Sequence, residues 1–83
     1  MRAKLLVVSV TPYAPPNGDV QNEKVTFTAV CGPSFDAAGL SEDNTFAKWT
    51  PSADMSITIT NPALFGAHVV GEKYYVDFTK ADA

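Results

Sequence analysis

Glu23-Lys24-Val25-Thr26-Phe27-Thr28-Ala29-Val30-Cys31 alternates apolar and polar side chains. Successive side chains of an extended chain point to opposite faces, so Val25, Phe27, Ala29 and Cys31 share one face and Lys24, Thr26 and Thr28 the other. The same period recurs from Met55 to Thr60, with Met55, Ile57 and Ile59 inward. It recurs again from Glu72 to Thr79, with Tyr74, Val76 and Phe78 inward and Lys73, Tyr75, Asp77 and Thr79 outward. A one-residue slip would turn each apolar set to water, so alternation specifies register strongly. Upstream, Ala3 to Val10 is nearly continuously apolar. Such a run predicts a strand covered on both faces.

The connections carry turn chemistry. Thr11 to Asn22 holds Pro12, Pro15 and Pro16, then Asn17-Gly18-Asp19, and reads as the long tip of a hairpin between the first two strands. Asn61-Pro62-Ala63-Leu64-Phe65-Gly66 reads as one helical turn, with Asn61 as N-cap, Pro62 first in the helix and Gly66 closing it. Gly71-Glu72 turns the chain into the last strand. Between Ser41 and Pro51 either a capped helix or a strand is conceivable. Thr45, Phe46 and Trp49 favour a pleated surface, so Asn44 to Trp49 is assigned to a fifth strand. The expected fold is all-β, a small antiparallel barrel or compact sandwich of about five strands with one short helical turn. Residues 1–83 are read as a single domain.

Eighty-three residues support one modest core. Chains this small commonly add disulfides, metals or oligomerisation. Cys31 is the only cysteine and His68 the only histidine, so an internal disulfide and a zinc cage are both excluded. Self-association is the remaining route. Net charge is −3, and the six basic residues Arg2, Lys4, Lys24, Lys48, Lys73 and Lys80 are scattered, which argues against gripping phosphates. No apolar run approaches the ~20 residues of a bilayer span, so no membrane association is expected. The start, Met1 to Val8, only faintly mimics a signal peptide, and removing it would delete a strand; it is read as mature sequence. One unpaired cysteine suits a reducing compartment.

Catalysis finds little support. A nucleophile needs a base beside it, and nothing in the chain joins His68 to Cys31. The plainer reading is a surface histidine and a small buried thiol. Glu42-Asp43, with Asp36 and Asn44 nearby, offers oxygen ligands but lacks calcium-loop spacing, and reads as a solvated loop. Phosphate and dinucleotide fingerprints are absent. The protein is therefore expected not to be an enzyme and to need no cofactor.

Exposed aromatics are the stronger functional signal, because they bury large area at small entropic cost. Tyr13 sits in the Pro-rich tip beside Pro15 and Pro16, Phe46 and Trp49 in the ambiguous segment, and Tyr75 on an outward face. These six are the candidate partner-binding residues. Set against that, Phe46 and Trp49 could fold back to plug the end of the core. Lys24, Thr26, Thr28, Lys73 and Tyr75 could make a platform for single-stranded nucleic acid, although ordinary solvated sheet explains them better.

Ser41 to Met55, Asn61-Pro62-Ala63-Leu64 and the ending Gly71 to Thr79 resemble a group of short, mostly uncharacterised tailed-bacteriophage proteins associated with head genes. The likeness covers roughly the C-terminal half and contains no catalytic motif. It implies a virion protein assembled in the host cytoplasm: a decoration, or cement, protein that binds the major capsid protein and stabilises the shell. The alternatives are a small acidic phage-encoded inhibitor of a host defence protein and the single-strand binder.

Overall fold

The computed structural model describes residues 1–31, 36, 39–40, 42–48 and 51–82. Strands β1 (Arg2–Tyr13), β2 (Asn22–Ala29), β3 (Asp54–Ile59) and β4 (Lys73–Asp77) form one antiparallel sheet in the order β3-β2-β1-β4. The all-β expectation holds. The barrel does not: β3 and β4 lie at opposite edges, so the sheet stays open. Nor do the described residues form the second sheet of a sandwich. The cover instead comes from non-strand segments, which leaves a slab with extents 57 × 34 × 17 Å.

One face of this slab is dry. Ala3, Leu5, Val7, Val25, Phe27 and Ile59 are its buried apolar residues, with Val10, Phe46, Met55, Phe65, Tyr74 and Val76 packed against them. The continuous apolar run of β1 has a different cause from the one its composition suggests. A register shift between Val7 and Ser9 inserts one extra residue, so Val7 pairs with Phe27 but Val10 with Val25. The bulge changes which parity faces the core, and apolar residues are needed at odd positions before it and at Val10 after it. Val8 itself is exposed, so β1 is not covered on both faces.

Pro12 lies inside β1, which runs further than the sequence suggests. Gln21 N–H donates to the Tyr13 carbonyl at 2.9 Å. Tyr13 therefore points its backbone groups towards β2, and by alternation the donor missing from Pro12 faces the other side. There β4 has ended, since it pairs only with Arg2 to Leu6.

The expected fifth strand is not formed. Residues 44–48 contain a turn at Thr45 and Phe46 and a bend at Lys48 but no strand, and Trp49 lies outside the described residues. The segment nevertheless completes the sheet. As β2 ends, the buried Asn44 accepts from Lys4 N–H through Oδ1 at 2.9 Å and donates to the Val30 carbonyl through Nδ2 at 2.7 Å. Thr45 N–H then donates to the Arg2 carbonyl at 2.9 Å. Asn44 and Thr45 thus stand in for a strand where β1 would lose its partner.

Asn61 caps a 3-10 turn over Pro62–Leu64, accepting from Ala63 N–H, and Gly66 follows with φ +78°. Two inward assignments fail at the sheet margins. Phe78 falls beyond β4 and is 56% exposed, and Ile57, on the edge strand β3, is 43% exposed. Alternation assigns a face but does not supply a cover.

Replacing Asn44 with Ala removes one acceptor and one donor from buried backbone groups, at a cost of about 2–3 kcal/mol. Asn44→Asp keeps the acceptor but turns a carboxylate oxygen towards the Val30 carbonyl in a buried site, so in urea unfolding at neutral pH it should lose at least as much stability as Asn44→Ala. Equal stability of all three would show that this loop does not complete the sheet.

Candidate protein-binding surface

The tip of the β1–β2 hairpin is built around a tight turn. Gly18 N–H donates to the Pro15 carbonyl at 3.0 Å, with Pro16 and Asn17 between them and Asn17 at φ 67°. Proline followed by a left-handed asparagine is the chemistry of a type II turn. A Cβ on Gly18 would lie 2.7 Å from Pro15 Cγ, so the turn is packed as well as bent. Tyr13 and Val20 flank it, and both are exposed. Pro16 is exposed and Pro15 half-buried. Three of the candidate residues, Tyr13, Pro15 and Pro16, therefore fall in one stiff projection.

The others lie elsewhere. Tyr75 pairs with Lys4, nine residue steps along β1 from Tyr13, or about 30 Å at roughly 3.3 Å each. Phe46 is half-buried and packs on the core, the fold-back arrangement weighed for it from sequence. The candidate residues do not make one site.

Tyr75 instead belongs to a polar cluster on the wet face that sequence reasoning missed. Its hydroxyl donates to Asp43 Oδ1 at 2.7 Å, and Lys4 Nζ donates to Asp43 Oδ2 at 3.2 Å. Arg2 stacks its guanidinium 4.7 Å from the Tyr75 ring centre while gripping Asp77 through Nε at 2.7 Å and Nη2 at 3.3 Å. Register places Arg2, Lys4, Tyr75 and Asp77 together, but only the loop conformation brings Asp43 over them. The Tyr75 hydroxyl, then Lys4, holds the Asp43 carboxyl below its ordinary value. The same bond raises the Tyr75 hydroxyl, and Arg2 lowers Asp77. One face of the Tyr75 ring is thus taken by Arg2, which thins the nucleic-acid platform. The remaining wet face holds a shallow depression of ≈ 400 Å³ lined by Val8, Lys24, Thr26, Thr28, Asp54 and Ser56, among others.

Neither the histidine nor the thiol lies where the sequence suggests, His68 being half-buried and Cys31 exposed. Cys31 is exposed, because β2 ends at Ala29 and the alternation no longer applies. His68 packs its ring edge-on to Phe27 at 5.9 Å and tilted against Tyr74 at 5.2 Å, and its Nδ1 is buried with no hydrogen-bond partner among the described residues. It serves as cover for the core. Glu23, at an apolar parity position of β2, is 5% exposed and accepts from Gly66 N–H at 3.2 Å, so it ties down the same cover. A charge in an inward slot was the sequence signal for that role. Among the described residues no group of three or more His, Cys, Asp or Glu side chains could hold a metal ion, and no helix is long and apolar enough to cross a membrane. Comparison with family models, with curated proteins and with solved structures finds no match.

The pKa directions set a pH window. Asp43 and Asp77, depressed in the folded state, contribute stability above the ordinary carboxylate range and lose it as pH falls through their folded values. Tyr75, raised, contributes below about pH 10 and loses it as pH rises through its folded value. Carboxyl NMR titration should place Asp43 below a solvent-exposed aspartate, and Tyr75→Phe should move it upward. An unmoved Asp43 would show that the tyrosine hydroxyl does not hold it.

Proposed function

We propose that this protein is a non-enzymatic virion protein of a tailed bacteriophage, a decoration protein that binds the coat shell. The resemblance of its C-terminal half to head-associated phage proteins suggests the setting. The single observation that carries a binding role is the hairpin tip, where the Pro15–Gly18 turn stiffens a projection with Tyr13 and Val20 exposed beside it. A contact surface ordered before docking loses less conformational entropy on binding, so stiffness itself favours recognition. Tyr13 supplies an amphipathic anchor, and Pro16 supplies a rigid apolar surface. The partner is the major capsid protein, contacted through this tip, with the sheet as a platform that sets its direction.

Two measurements test this reading. Mass spectrometry of purified particles should find the protein at high copy number, and its absence from them would remove the capsid role. Replacing Ala14 to Asp19 by a two-residue Asn-Gly turn should leave the melting temperature nearly unchanged and reduce capsid occupancy at least tenfold. Gly18→Ala, which drives a methyl group into Pro15, should lower occupancy in the same direction. Full occupancy with the shortened tip would show that the contact lies elsewhere.

A further inference from the structure

The two edges of the sheet differ in what they present. On β4 the edge carries Lys73 and Asp77, and Asp77 is already gripped by Arg2. Charged side chains are the usual protection of an exposed edge against pairing. β3 carries one charge, Asp54 at its start, and the stretch Met55-Ser56-Ile57-Thr58-Ile59-Thr60 that follows contains no charge and no proline. Among the described residues no backbone group bonds to its outer side.

The hydrogen-bond parity of that outer side follows from one contact. Ala29 N–H donates to the Ala53 carbonyl at 2.9 Å, and the pairing continues with Phe27 opposite Met55, Val25 opposite Ile57 and Glu23 opposite Ile59. In an antiparallel ladder alternate residues direct their backbone groups to opposite sides. Met55, Ile57 and Ile59 therefore bond inward to β2, while Asp54, Ser56 and Thr58 direct N–H and C=O outward.

We propose that β3 pairs antiparallel with β3 of a second copy, about a twofold axis through Ile57, to make one eight-stranded sheet. That register matches the strand to itself in every respect. Ser56 and Thr58 face each other's copies as hydrogen-bonded pairs, which is the parity the outward groups require. Met55 meets the second copy's Ile59, and Ile57 meets its own copy in a non-hydrogen-bonded pair, where side chains approach most closely. Apolar side chains thus fall opposite apolar ones on the dry face and hydroxyls opposite hydroxyls on the wet face. Asp54 falls opposite Thr60, so no like charges are opposed. A self-complementary patch is what a twofold interface demands.

The self-matching register favours a second copy over a foreign strand, and the elongated shape leaves that edge uncovered. The radius of gyration is 15.7 Å, against about 12 Å for a compact domain of this length. Ile57 is left 43% exposed at the β3 margin of the apolar face. Joining two β3 edges covers both copies of Ile57 and makes two small cores continuous. This interface is distinct from the hairpin tip and does not depend on the capsid reading.

Sedimentation equilibrium of the full chain should show a reversible dimer, and a monomer at concentrations up to about 0.1 mM overturns the proposal. Ile57→Lys places a charge beside its own copy, and Ser56→Pro removes an outward donor without touching the β2 ladder. Each should weaken dimerisation at least tenfold with the far-UV spectrum retained, and a dimer of wild-type affinity in both variants sinks the idea. In a Cys31→Ser background, Ile57→Cys should oxidise to a covalent dimer, because non-hydrogen-bonded pairs hold Cα atoms within disulfide reach. Lys73→Cys on the opposite edge should stay monomeric under the same oxidation. Cross-linking through Lys73→Cys and not Ile57→Cys would assign the interface to β4 and overturn the proposal.

Discussion

The packing of Val7 against the neighbouring strand at Val25 and Phe27 holds this protein together. Val7 and Val25 are the largest fully buried side chains, and they lie on the two central strands. Every other element is positioned by that pair of strands: β3 by its ladder to β2, β4 by its ladder to β1, and the cover by apolar contact with Phe27. A four-stranded sheet needs such a face because paired strands without a dry side are marginal in water. The bulge at Val8 follows from the same requirement, since it lets β1 keep apolar side chains on the core face while its twist changes.

The cover is made of loops, and that brings polar groups to the core. A loop brings backbone groups that must be satisfied wherever it displaces water. Asn44 satisfies Lys4 N–H and the Val30 carbonyl, and the Glu23 carboxylate satisfies Gly66 N–H. Each is a polar side chain buried because it answers a backbone group that strand pairing leaves open. His68 contributes ring area instead, and its Nδ1 finds no partner among the described residues.

Period-two alternation made β2, β3 and β4 legible, because face assignment depends only on neighbours along the chain. The hairpin tip and the Asn61 cap were legible for the same reason: their hydrogen bonds close within a few residues. What failed depended on distant partners. Phe78 has the right parity but no cover, and Asn44 to Lys48 have strand-like composition yet form turns that Arg2 and Lys4 stabilise from 40 or more residues away. The Asp43–Tyr75 contact spans 32 residues and was equally invisible, although the placement of Tyr75 across from Lys4 was fixed once register was known. Cys31 failed for a simpler reason: the strand stops before reaching it.

An open sheet with one dry face must end somewhere, and its two ends have been finished differently. At β4 the final side chains are charged and partly neutralised in place by Arg2, so water is their best partner. At β3 the hydroxyls of Ser56 and Thr58 alternate with apolar side chains, and a hydroxyl can hydrogen-bond either to water or to another hydroxyl. The outward backbone groups of β3 have the same two options, while Ile57 strictly prefers another apolar surface. The apolar residue therefore adds to whatever the backbone and hydroxyl groups contribute at that edge. Of the two edges, β3 is therefore the one that leaves an apolar side chain, Ile57, facing water.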